Sequence, residues 1–173
     1  AGKSTAAKII TEKLGILYLD TGAMYRAIGP KALRLGIDTH DAERIAAMLP
    51  DTAVTIKYID GSQNIFLDGE NVTPYIRENK VSMAASDVSA IPAVRVKLVE
   101  LQRDIARNND CILDGRDIGT YVLPSAEYKF YITATAEERA KRRHKELTDK
   151  GVDISYESVL KDIAERDKND STR

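Results

Sequence analysis

Long apolar runs, cysteines, histidines and surplus charge are all scarce in this chain. No segment approaches the roughly 18 consecutive apolar residues of a membrane-spanning helix, so the reading carries no membrane partner. The single cysteine, Cys111, leaves nothing for an internal disulfide. Set inside an apolar run, it reads as a reduced, buried thiol of a cytoplasmic protein. The two histidines, His40 and His144, lie far apart with no partner at metal-ligand spacing, and both read as surface residues. No Ser-His-Asp or Cys-His pattern occurs with usable context. A net charge of −1, from 26 basic and 27 acidic residues, gives no bulk attraction to nucleic acid. Any anion site must therefore be local. No internal repeat, low-complexity tract or signal peptide is visible.

What is present begins at Ala1-Gly2-Lys3-Ser4-Thr5. Gly-Lys-Ser ends a phosphate-binding loop of the form G-x-x-x-x-G-K-[ST], and the apolar residues after it recur at helical spacing. A helix N-terminus offers unpaired N–H groups and a positive dipole end to a phosphate. Lys3 would then reach the β- and γ-phosphates and the Ser4 hydroxyl would meet magnesium. Taken alone, the fragment fits a helix-capping turn equally well.

At 173 residues the chain has room for one full core and a small inserted subdomain. Helix is expected to about Leu14, and Ile16–Leu19 reads as a short buried strand ending at Asp20-Thr21-Gly22. A second helix follows to about Leu35, kinked or divided by Pro30. Asp38 or Thr39 should cap a third, ending before Pro50. Residues 53–59 and 64–67 alternate and are β-branched about a turn at Asp60–Gln63, an antiparallel hairpin interrupting an α/β pattern. Thr73-Pro74 should cap short helices, and Pro92 should open a long one to about Arg107. Cys111–Leu113 and Tyr128–Ile132 read as further strands. Thr135–Glu138 forms a capping box for a helix to about Leu147, and Ser155 caps the last. Strands alternating with helices predict a parallel sheet covered on both faces, with ligands beyond the strands' carboxyl ends.

Polar clusters fall at those ends, and arginine is the most informative residue in them. Arg26, Arg116, Arg139, Arg142, Arg143, Arg166 and Arg173 would each be ordinary surface residues if they stood alone. Converging on one phosphate, they become the forked donors that phosphoryl transfer needs. Asp114 and Asp20, at strand ends, could orient magnesium waters or serve as caps. The basic run Lys141–Lys145 lacks interleaved aromatics, so no nucleic-acid partner is expected.

From Asp20-Thr-Gly-Ala-Met-Tyr-Arg26 onward the sequence resembles the bacterial cytidylate kinases. The likeness continues through Ala84-Ala85-Ser86, Ile91–Arg95, Asp114-Gly-Arg-Asp-Ile-Gly-Thr120, Ala136–Arg139 and Glu165-Arg166-Asp167. The resemblance implies a three-layer α/β/α P-loop kinase that moves the γ-phosphate of ATP to CMP or dCMP with Mg2+. It implies a core of residues 1–36, 92–141 and 155–173, a CMP-binding insert of 37–91 and a lid of 142–154. Gly2, Lys3, Ser4 and Thr5 would hold ATP, and Ser4 and, through water, Asp114 would hold the metal. Arg26, Arg116 and Arg173 would grip the acceptor phosphate. Thr21, Tyr25, Ser86, Arg95 and Asp117 would line the pyrimidine pocket, and Asp170 would take a ribose hydroxyl. Arg139, Arg142 and Arg166 would close over the transferring phosphate. The resemblance also implies a monomer and a protein longer at both ends, with a strand before Ala1 and another after Arg173. Three other readings stay open: a P-loop kinase for UMP, AMP or a non-nucleotide, a non-catalytic nucleotide-binding module, and, most distantly, a nucleic-acid binder.

Overall fold

The structure, a computed structural model, describes residues 2–76 and 79–171, and at positions 79, 80, 82, 166 and 169–171 the backbone alone. It forms two compact units, Ser4–Glu127 and Tyr128–Arg173 with Ala1–Lys3.

In the larger unit, helix α1 (Lys3–Leu14) leads to β1 (Leu17–Asp20), which pairs in parallel with β5 (Cys111–Asp114). The register sets Leu17 opposite Cys111 and Asp20 opposite Asp114, so two carboxylates stand side by side at the carboxyl edge. Helix α2 (Thr21–Arg34) starts at once, because the Asp20 side chain accepts the Ala23 N–H and satisfies an orphan donor of the first turn. Its Met24, Ala27, Ile28 and Ala32 are fully buried. Pro30, expected to kink or divide this helix, sits inside one continuous element. Proline removes one helical hydrogen bond there, but burial of the residues around it holds the backbone in register.

Helix α3 (Ala42–Met48) is capped by Asp41, whose carboxylate accepts the Arg44 N–H at 3.0 Å. The expected caps are engaged elsewhere: Asp38 accepts the His40 N–H, and the Thr39 hydroxyl donates to Asp87. Strands β2 (Val54–Ile59) and β3 (Ser62–Leu67) form the predicted hairpin with a tighter turn. Asp60 and Gly61 have φ of 51° and 71°, the geometry of a two-residue turn matched to strand twist. Pairing therefore runs on to Tyr58–Gln63 and Ile59–Ser62. Asp68-Gly69 repeats the device and adds β4 (Glu70–Asn71), a strand outside the sequence expectation. Thr73, expected as a helix cap, instead accepts the Ile65 N–H with its hydroxyl at 2.9 Å and closes this small sheet.

Helices α4 (Asn79–Ser89) and α5 (Pro92–Asn108) complete the unit, the latter opened by Pro92 as predicted. Gly29 of α2 lies against α4 so closely that a Cβ there would fall 2.9 Å from the Cβ of Ala84. The small pair Ala84-Ala85 is thus a packing requirement as well as a sequence signature. Leu19, Met24, Ile28, Ile65, Val88 and Leu98 belong to one buried cluster, so residues 37–91 share a core with α2 and α5. Each large side chain in it contributes about 1.5–3 kcal/mol by burial.

In the smaller unit, Thr135 caps α6 (Ala136–Asp149) by accepting the Glu138 N–H, and Ser155 caps α7 (Tyr156–Ser171) by accepting that of Ser158. Ala140 and Val159 are buried. Tyr128–Ile132, expected as a strand, is irregular, with Phe130 and Tyr131 83% and 89% exposed. No described strand pairs with it.

Candidate active site

The two adjacent strand ends carry most of the chemistry of the larger unit. Asp114 is buried, and its Oδ2 accepts the Ser4 hydroxyl at 2.6 Å and the Tyr18 hydroxyl at 3.0 Å. Burial, with the nearby charges of Asp114 and Asp20, pushes the Tyr18 phenol well above its ordinary range, so it stays protonated and donates. The loop hydroxyl named in the sequence is therefore seated on the strand-end carboxylate. This hard-oxygen pair suits magnesium, which takes few protein ligands and keeps waters and phosphate oxygens. Among the described residues no group of three or more His, Cys, Asp or Glu could hold a metal ion.

Thr21 donates its hydroxyl to the Asp114 carbonyl at 2.9 Å, within the protein. This leaves its oxygen lone pairs for a ligand's donor. Gly115 is pressed against that bond: a Cβ there would meet Thr21 Oγ1 and Ile118 Cδ1, each at 2.6 Å. Asp20 joins the two functions of its strand end. One oxygen caps α2, and the other holds Arg26 Nη2 at 2.8 Å. Arg26 Nε is buried with no hydrogen-bond partner in the described structure. A buried cationic donor left open in this way fits a phosphate oxygen.

Arg95 Nη2 binds Asp117 Oδ2 at 2.6 Å, and its Cζ lies 5.2 Å from the centre of the Tyr121 ring. These two pyrimidine-pocket candidates are brought together, while Arg116 is exposed in the bend between them and β5. Tyr25 and Ser86 are half-buried, on α2 and α4, the pair of helices in contact at Gly29. Cys111, read as buried, is half-buried; partial burial, with Asp110 adding to it, pushes its thiol up and keeps it neutral.

Gly2, with φ 79°, precedes Lys3 at the head of α1, and Ser4 and Thr5 continue its first turn. In the smaller unit, Arg139 forms a two-point pair with Asp167, at 2.8 Å and 2.5 Å. Its Nε also donates to the carbonyls of Ala134 and Thr135. Arg142 is exposed. His144, read as a surface residue, is half-buried, its Nε2 3.0 Å from the Ile154 carbonyl and its ring edge-on to Tyr156. The side chains of Arg166 and Asp170, and all of Arg173, lie outside the described residues.

Sequence reasoning missed Tyr18 and Gln63. Tyr18 is legible in retrospect as a phenol two positions before a strand-end aspartate, hence on the same strand face. Gln63 was absorbed into a turn. Its amide binds the Asp20 backbone at both N–H and C=O.

A Gly-Lys-Ser-Thr helix start, a parallel strand pair ending in carboxylates and an antiparallel insert together define a P-loop kinase of the nucleoside monophosphate class. A family model described as cytidylate kinase matches residues 1–173. The chain is 54% identical to the cytidylate kinase of Caldicellulosiruptor bescii over 173 residues, all of this chain and 76% of that protein. It is 55% identical to that of Caldicellulosiruptor saccharolyticus, with the same coverage. Against that of Pelotomaculum thermopropionicum it is 48% identical over 174 residues, all of this chain and 77% of that protein. The chain belongs to the cytidylate kinase family.

Proposed function

We propose that this enzyme transfers the γ-phosphate of ATP to CMP or dCMP, giving ADP and CDP or dCDP. The observation that carries the reading is the 2.6 Å contact of Ser4 with Asp114, one residue after the phosphate-loop lysine. Magnesium, when bound, would supply positive charge to neutralise the donor phosphates. Ser4 would hold it directly and Asp114 through water. Gly2, Lys3 and Thr5 would cradle ATP. Arg26, Arg116 and Arg173 would hold the acceptor phosphate in line. Thr21, Tyr25, Ser86, Arg95 and Asp117 would recognise cytosine, whose amino donor and acceptor edge need an oxygen and a guanidinium opposite them. Arg139, Arg142 and Arg166 would neutralise the transferring group, and Asp170 would bind ribose. Residues 37–91 would act as the acceptor insert and 142–154 as a lid that excludes water. The enzyme would act as a monomer in the cytoplasm. Among the described residues no helix is long and apolar enough to cross a membrane.

A coupled ADP-release assay with separate CMP, dCMP, UMP and AMP tests this. CMP and dCMP should give the highest kcat/KM. A higher value with AMP or UMP would overturn the acceptor assignment.

A further inference from the structure

Strand β1 pairs with β5 along one edge, and no described strand pairs along the other. An open edge presents backbone groups of alternate residues. Here they are met by two side chains of the hairpin. The Tyr58 hydroxyl donates to the Tyr18 carbonyl at 3.1 Å. Gln63 accepts the Asp20 N–H through Oε1 at 2.7 Å and donates from Nε2 to the Asp20 carbonyl at 3.2 Å. Tyr58 and Gln63 are themselves cross-strand partners. A carboxamide that both accepts from and donates to one residue imitates a rung of ladder. Neither a carboxylate, which cannot donate when ionised, nor an alkyl chain can replace it.

The residue held this way is Asp20, which caps α2 and holds Arg26 at 2.8 Å. Any displacement of the Asp20 backbone moves the carboxylate that aims the guanidinium. We infer that Gln63 is a positioning residue for the phosphate acceptor: it fixes Asp20 from the hairpin and, through Asp20, sets Arg26. The inference rests on the proposed reading of Arg26 as an acceptor-phosphate ligand. Tyr58, the cross-strand partner of Gln63, docks the same hairpin on the Tyr18 carbonyl and not on Asp20, and so supplies a control for docking alone.

Steady-state kinetics with ATP and CMP, alongside thermal unfolding, test it. Gln63→Leu should raise KM for CMP roughly three- to tenfold, the worth of one or two hydrogen bonds, with kcat and KM for ATP changed by less than about twofold. Gln63→Glu, which keeps the acceptor and loses the donor, should raise KM for CMP as well and supplies the reading if Gln63→Leu does not fold. Tyr58→Phe should lower Tm and leave KM for CMP unchanged. Adding Gln63→Leu to Asp20→Asn should raise KM for CMP no further than Asp20→Asn alone. An unmoved KM for CMP in both Gln63 variants, or an equal rise in Tyr58→Phe, overturns the positioning role. A wild-type enzyme that turns over AMP but not CMP would instead overturn the functional reading.

Discussion

At the strand ends of Ser4–Glu127 the carboxylates Asp114 and Asp20 are held from behind, whereas Arg139 and Arg142 of the smaller unit lie nearer the surface. Asp114 is 5% exposed and takes hydrogen bonds from Ser4 and Tyr18, with Thr21 on its carbonyl. Asp20 is fixed by a helix cap, by Arg26 and by Gln63. By contrast, the Arg139–Asp167 pair keeps side-chain exposures of 27% and 41%, and Arg142 is exposed. Buried hydrogen-bonded groups resist displacement, whereas exposed ion pairs contribute only about 0–1 kcal/mol and exchange partners at little cost. The difference suits the proposed roles, in which the strand ends would be preorganised and Arg139 and Arg142 would be free to exchange partners during turnover.

The sharpest way to break this contrast is Asp114→Asn. If the buried carboxylate orients the metal's waters, kcat falls about 10–100-fold, the usual cost of losing an outer-shell metal partner. Raising magnesium should recover part of the loss, which a titration of activity against Mg2+ measures. Next in size is Gly115→Ala, whose Cβ has no room beside Thr21 and Ile118. Overpacking of this kind costs about 1–3 kcal/mol. At roughly 2–4 °C per kcal/mol for a chain of this length, Tm should drop by several degrees.

The smaller unit should respond weakly. Asp167→Asn removes an exposed partner of Arg139, so stability should change by no more than about 1 kcal/mol. Because the guanidinium remains available, kcat should stay within about threefold of wild type by the same modest coupling. A loss as large as that of Asp114→Asn would erase the distinction between the units.

The smallest effect concerns pH. Burial acts to raise the Asp68 carboxyl, but hydrogen bonds from Lys31 at 2.6 Å and the Ala53 N–H at 2.8 Å outweigh it and hold the group below the usual aspartate range. A carboxyl depressed in the folded state stabilises it above the unfolded value of about 4, and the contribution is lost as pH falls through the folded value. With Asp68 42% exposed, solvent screening keeps this below about 1 kcal/mol. Asp68→Asn should therefore lower Tm slightly at pH 7 and progressively less as pH falls below about 4, as unfolding scans across that range would report.

How legible each feature was in the sequence follows the range of the interaction that fixes it. Thr135 and Ser155 cap their helices and Pro92 opens one, because those preferences act within a single turn. The Asp-Gly pairs likewise dictate tight turns, although the reading placed the first turn too wide and missed the second. Pro30 does not divide α2, where Ile28 and Ala32 on either side of it are buried. Asp41 caps α3 in place of Asp38 and Thr39, because Asp38 turns to the nearby His40 N–H and Thr39 to the distant Asp87. Tyr128–Ile132 has strand composition but no described ladder partner, and composition cannot supply one. In the site, Ser4, Asp114, Arg26, Arg95 and Asp117 carry motif signals. Tyr18 is marked only by its alternation with Asp20 along β1, and Gln63 acts through a residue distant in the chain, so no spacing announces it.

One measurement bears on all of this at once. Phosphorus NMR can follow the enzyme with ATP, Mg2+ and an equimolar mixture of CMP, dCMP, UMP and AMP. The β-phosphate signals of CDP and dCDP should grow first, in step with ADP. Prior conversion of AMP or UMP, or release of inorganic phosphate in place of a nucleoside diphosphate, would contradict the assignment of a cytidine acceptor to these strand ends.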